Sequence, residues 1–112
     1  MADKNQIVLV GKVGSAVKRG KTQNGDGYLA FLLEIQAKET ANSSVNNYHQ
    51  YISVRVFRAP VIKYLDKVNI HMGMPLVVFG FISSYQGEVK GKKIIANSVN
   101  GVEVYAIKTK TD

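Results

Sequence analysis

A chain of 112 residues is long enough for one compact domain and too short for two, and with 46% hydrophobic residues it has the material for a core that a disordered segment lacks. Fifteen Lys and Arg against eight Asp and Glu leave a formal charge of +7 and a pI near 9.7, which favours a polyanionic partner. No amphipathic basic helix, lipidation signal or long apolar span is present, so nucleic acid is preferred over an anionic membrane. The absence of cysteine excludes disulfides and thiolate metal sites and fits a cytoplasmic location.

The run Ile7-Val8-Leu9-Val10-Gly11-Lys12-Val13 is short and β-branched and predicts a first strand over Gln6 to Val13, buried on much of both faces. From Lys18 to Gly27 the chain carries Lys18, Arg19 and Lys21 among glycines and asparagine. This predicts a mobile basic loop with a turn at Asn24-Gly25. A second strand, Tyr28 to Lys38, alternates Leu29, Phe31, Leu33, Ile35 and Ala37 toward the core with Tyr28, Ala30, Leu32, Glu34, Gln36 and Lys38 on the other face. The polar stretch Glu39 to Asn47 predicts an exposed loop. The third strand, about Tyr48 to Arg58, separates by period two into Ile52, Val54 and Val56 inside and His49, Tyr51, Ser53, Arg55 and Phe57 outside.

Pro60 is followed by Val61, Tyr64, Leu65 and Val68 at i, i+3, i+4 and i+7, the stripe of a short helix with proline in its first turn. Leu76 to Tyr85 and Lys92 to Tyr105 predict strands four and five, joined by a hairpin loop over Gln86 to Gly91 that bears Lys90. The core domain is expected over about residues 5 to 105, with 106 to 112 a short polar tail. Five strands with one helix between the third and fourth is the element order of the all-β oligonucleotide/oligosaccharide-binding (OB) barrel.

Catalysis lacks its parts. There are two histidines, His49 and His71, no cysteine, and no close pair among the scattered carboxylates. There is no phosphate-cradling loop or metal-ligand cluster either, and no cofactor is expected. Binding of unpaired nucleic acid needs only a positive groove for phosphates and flat rings on which bases stack. Tyr51 and Phe57 are the leading stacking candidates, because their neighbours in phase are Ser53 and Arg55; Tyr48 and Tyr85 join them. Phe31, Phe79 and Tyr64 are expected in the core. Arg55 and two basic clusters, Lys18, Arg19 and Lys21 after strand one and Lys90, Lys92 and Lys93 at the last hairpin, are expected on phosphates. RNA is read by the same chemistry, and a protein-interaction adaptor is the alternative of a different class.

The opening Asn5 to Gly14, together with Asn24-Gly25, Tyr51 through Phe57, the Tyr64-Leu65 helix, Gly80 and Asn97 to Val104, resembles the bacterial single-stranded-DNA-binding protein family and its smaller relative, the primosomal replication protein N family. The resemblance covers about residues 5 to 105. It implies an OB fold without catalysis, single-stranded DNA as ligand, base stacking at Tyr51 and Phe57, and homo-oligomers built through strand one, dimers or tetramers; replication proteins are the partners of the adaptor alternative. Two departures stand out. There is no tryptophan, with Thr40 where the family often has one. The chain also ends at Lys108-Thr109-Lys110-Thr111-Asp112 with no acidic tail, which makes it more similar to the primosomal relative and aligns Lys90, Lys92 and Lys93 with that family's DNA-binding lysines.

Overall fold

The computed structural model describes residues 5–41 and 44–107, with the side chains of 37–41, 44–48 and 85 outside the description. Its elements in chain order are β1 (Ile7–Val13), β2 (Lys18–Lys21), β3 (Gly27–Ala41), β4 (Ser44–Val56), α1 (Ala59–Lys67), β5 (Pro75–Val89) and β6 (Lys92–Ala106). The strands run in the order β1-β5-β6-β4-β3-β2, and β1 also pairs with β3. Two short contacts close the barrel. β1 meets β3 at Lys12↔Glu34 and Val13↔Leu33, and β4 meets β6 in parallel at Val54↔Val99 and Arg55↔Asn100.

Period-two alternation puts Leu29, Phe31 and Leu33 of β3 and Val54 and Val56 of β4 inside, where they meet Val13, Leu76, Val78, Val99 and Val104. Helix α1 covers one end of this core. Pro60 fits its first turn, and Leu65 is its fully buried residue, with Val61, Tyr64 and Val68 packed beside it. The barrel and the one helix among the described residues are those expected of an OB fold, with β2 as an additional short strand.

Three segments expected as loops are strand instead. Lys18–Lys21 pairs with Gly27–Ala30, so the basic stretch is held on a ladder, and only the turn closed by Thr22 N–H to the Asp26 carbonyl (2.8 Å) and Gly25 N–H to the Thr22 carbonyl (2.9 Å) remains. Gly25 supplies its positive φ of 87°. Between β1 and β2, Gly14 N–H donates to the Leu32 carbonyl (2.7 Å) and Ser15 Oγ accepts from Leu32 N–H (2.8 Å), so a side chain carries the ladder across the break.

The polar stretch after residue 38 continues the β3–β4 ladder to Ala41↔Ser44. The β5–β6 ladder likewise runs to Val89↔Lys92, leaving a two-residue turn, Lys90 (φ 51°) and Gly91 (φ 79°). In all three cases a hairpin ladder to the adjacent strand runs further toward its turn than the composition of the segment suggests. At Gly80, beside a bulge in β5, a Cβ would stand 1.8 Å from the Asn100 carbonyl oxygen, so the two strands approach as closely as glycine allows.

Candidate nucleic-acid interface

The outward positions of β3 and β4 form one continuous face. Across the ladder Ala30 stands opposite Arg55, Leu32 opposite Ser53, Glu34 opposite Tyr51 and Gln36 opposite His49. Tyr51 and Phe57 are 54% and 42% exposed, while Val54 and Val56 between them in sequence are fully buried. The same alternation that fills the core therefore turns these rings to solvent. They stand at the two ends of a row roughly 20 Å long at about 3.3 Å per residue, with Ser53 and Arg55 between. A recess of about 260 Å³ opens on this face, lined by Ser15, Ala16, Lys18, Ala30, Leu32 and Ser53.

Glycines seat the rings. A Cβ on Gly14 would lie 3.1 Å from the Tyr51 ring, and one on Gly20 would lie 2.7 Å from the ring of Tyr28. Tyr28 in turn packs against Phe57 with ring centroids 5.8 Å apart and planes tilted by 40°. Sequence reasoning placed Tyr28 on this face without seeing it as part of the site. The signal was present, since Tyr28 occupies the ladder position facing Phe57 once Leu29 pairs with Val56. Phe81 was missed as well. Arg55, Asn100 and Phe81 align across β4, β6 and β5, and Phe81 is 38% exposed.

The basic residues divide. Lys18 sits beside Ala30 on the outward face, near its Phe57 end, whereas Lys21, beside Gly27, shares the opposite side of β2 with Arg19. Arg19 points to the helix side, where its guanidinium pairs with the Asp66 carboxylate of α1 at 2.5 Å. This corrects its expected place in a free cationic cluster; the alternation of β2 separates it from Lys18. Lys90, Lys92 and Lys93 lie at the tip of the β5–β6 hairpin. Because β6 runs parallel to β4, that tip projects toward the opposite end of the sheet from the Thr22–Asp26 turn. The two clusters bracket the ring face and do not merge. Tyr48 and Tyr85 occupy ladder positions opposite Ala37 and Ala96, and their side chains lie outside the described residues. His49 pairs with Glu34 on the face, whereas His71 follows the helix and contacts the Asn69 carbonyl.

The expected core residues also divide. Phe31 is buried and Tyr64 is packed against the core, where its hydroxyl oxygen accepts from Ala106 N–H (3.0 Å). Phe79 is a correction: it is 39% exposed and lies beside Val8 (58%) and across the sheet from the β3–β4 face. It meets the Tyr105 ring edge-on at 6.2 Å. With Val10 (59% exposed), these residues make an apolar surface on β1, β5 and β6, next to a groove of about 510 Å³ lined in part by Ile7, Val8, Phe79, Phe81 and Val102. The Tyr105 hydroxyl donates to Glu103 (3.1 Å), and that carboxylate holds the phenol above its ordinary pKa. No group of three or more histidines and carboxylates is placed to hold a metal among the described residues, and no helix among them is long and apolar enough to cross a membrane.

A closed five-strand barrel whose outer sheet carries exposed rings between cations is an oligonucleotide-binding barrel in architecture. The chain belongs to the single-strand binding protein family, which matches residues 4–107. Its fold is similar to that of a Plasmodium falciparum single-strand binding protein solved with single-stranded DNA (TM-score 0.82, 16% identity, 96% of this chain and 100% of that one). It is also similar to a small single-stranded-DNA-binding protein of Streptomyces coelicolor (TM-score 0.70, 17% identity, 95% and 96%). A Thermus aquaticus single-stranded-DNA-binding protein superposes with TM-score 0.80 at 20% identity over 96% of this chain, which spans 52% of that longer one. No curated protein sequence matches the chain.

Proposed function

We infer that the chain, acting as one domain, binds single-stranded DNA without catalysis on the outer face of β3 and β4. Bases stack on Tyr51 and on the Tyr28–Phe57 pair, and Arg55, Lys18 and the lysines of the β5–β6 tip take phosphates. The observation that carries this reading is the outward row of Tyr51, Ser53, Arg55 and Phe57 over the buried Val54 and Val56. Stacking and phosphate contact tolerate any base order, so binding is sequence-tolerant at first approximation. Such an activity belongs to replication, restart, repair or recombination in the cytoplasm.

The chain has six tyrosines and no tryptophan, so quenching of tyrosine emission by oligo-dT measures binding directly. With roughly four to six phosphates neutralised, log K is expected to fall against log salt with a slope of about −3 to −4. Duplex DNA binding as tightly as the single strand at the same salt would overturn the reading. Replacing dT with an RNA oligonucleotide of equal length compares the two ligands on the same surface.

A second surface favours self-association. Val8, Val10 and Phe79 stand exposed on β1 and β5, and β1 meets β3 only at Lys12 and Val13. Apolar area beside an open strand edge suits a homo-oligomer through β1, or a replication-protein partner at the same place.

A further inference from the structure

Among its described residues, the outward face of β3 and β4 carries one carboxylate, that of Glu34, and its surroundings are specific. Glu34 stands directly opposite Tyr51. The two side chains meet over Gly14, where a Cβ would lie 2.9 Å from the Glu34 Cβ and 3.1 Å from the Tyr51 ring. His49, the next outward residue of β4, holds Glu34 Oε2 through Nδ1 at 2.5 Å. Lys12 of β1 is the Cα partner of Glu34 on its other side. The Glu34 side chain is 15% exposed, so it is met only by a group laid close against the Tyr51 ring.

A carboxylate on a surface that receives a polyanion repels phosphate, and Lys12 and His49 beside it temper that charge. What remains distinctive is its bonding: an ionised carboxylate accepts hydrogen bonds and donates none. A base stacked on Tyr51 turns its polar edge toward the groups around the ring. Cytosine and adenine bring an exocyclic amino group with two donor hydrogens to that edge, whereas the one donor of thymine there, N3–H, is flanked by two carbonyl oxygens that a carboxylate repels. With His49 on Oε2, the carboxylate still has acceptor capacity for one such donor.

Resting on the reading of this face as the DNA interface, we propose that Glu34 is a base-selecting residue: it favours an amino-bearing base over thymine at the nucleotide stacked on Tyr51. The interface is then tolerant along most of its length and selective at one position.

The test titrates the full chain and its Glu34→Gln variant with oligo-dC and oligo-dT of equal length, at one salt concentration and neutral pH, following tyrosine emission. The dC-to-dT affinity ratio is expected to fall about 3- to 10-fold in Glu34→Gln, mainly through weaker dC binding, as loss of one charge-assisted hydrogen bond requires. Glu34→Ala, which removes both acceptor oxygens, is expected to reproduce that fall. A carboxylate that only balances charge gives a different result, both oligonucleotides tightening by the same factor, and an unchanged ratio in either variant overturns the proposal. Failure of the unmodified chain to bind either oligonucleotide would instead remove the interface reading and the proposal with it.

Discussion

Tyr51 and Phe57 each leave about half of their surface in water, and burying it would gain roughly half of the 1.5–3 kcal/mol that full burial of a large apolar side chain is worth. A stacked base returns about 1–3 kcal/mol per ring, so the two effects match in size and the rings are suited to a ligand. Tyr51→Ala and Phe57→Ala are each expected to weaken oligo-dT binding by about 1–3 kcal/mol. Because both rings are exposed, the denaturation midpoint should hardly move, and a large loss of stability would return the rings to a structural role. Tyr28 acts through its contact with Phe57, and Tyr28→Ala is expected to cost less, about 0.5–1.5 kcal/mol of affinity. Gly20→Val should mimic it, since a side chain there displaces the Tyr28 ring.

The β5–β6 hairpin is the element on which the far basic cluster depends. Its tip needs positive φ at Lys90 and Gly91, and Asn-Gly suits such a turn better than Lys-Gly. A chain with Lys90→Asn, Lys92→Gln and Lys93→Gln should therefore keep the hairpin while losing three charges. Its salt slope is expected to become shallower by about 2, using ~0.7 for each phosphate contact; an unchanged slope in the oligo-dT titration would place these lysines away from the DNA path. The base of the same hairpin is constrained by Gly80, and Gly80→Ala must separate β5 from the Asn100 carbonyl. A loss of about 2 kcal/mol or more is expected in the denaturant midpoint, in the range of strained core substitutions.

For the molecule as a whole, the proposed DNA face is built on β3 and β4 and the apolar surface proposed for self-association on β1 and β5, so the two rest on different strands. Val8→Glu combined with Val10→Glu places like charges on exposed strand positions where no core contact is lost. The variant is expected to shift the mass in light scattering toward the monomer while tyrosine quenching by a short oligo-dT persists. Retention of the oligomer would exclude β1 from the contact. Long oligonucleotides, which span more than one copy, should lose more affinity than short ones in this variant.

Alternation within an extended chain is local, so the sequence by itself determined that Val54 and Val56 face inward and Tyr51, Ser53, Arg55 and Phe57 outward. It likewise determined the short helix around Leu65 and the excess of positive charge. Pairing between distant segments is not local, and only the tertiary structure decided it. Lys18–Lys21 becomes a strand because Gly27–Ala30 lies beside it, Arg19 is drawn to Asp66 from a helix many residues away, and Tyr28 becomes part of the site by resting between Gly20 and Phe57. Phe79 is an apolar residue whose side of the sheet no helix or strand among the described residues covers, and hydrophobicity alone carries no record of which sheet face finds a partner.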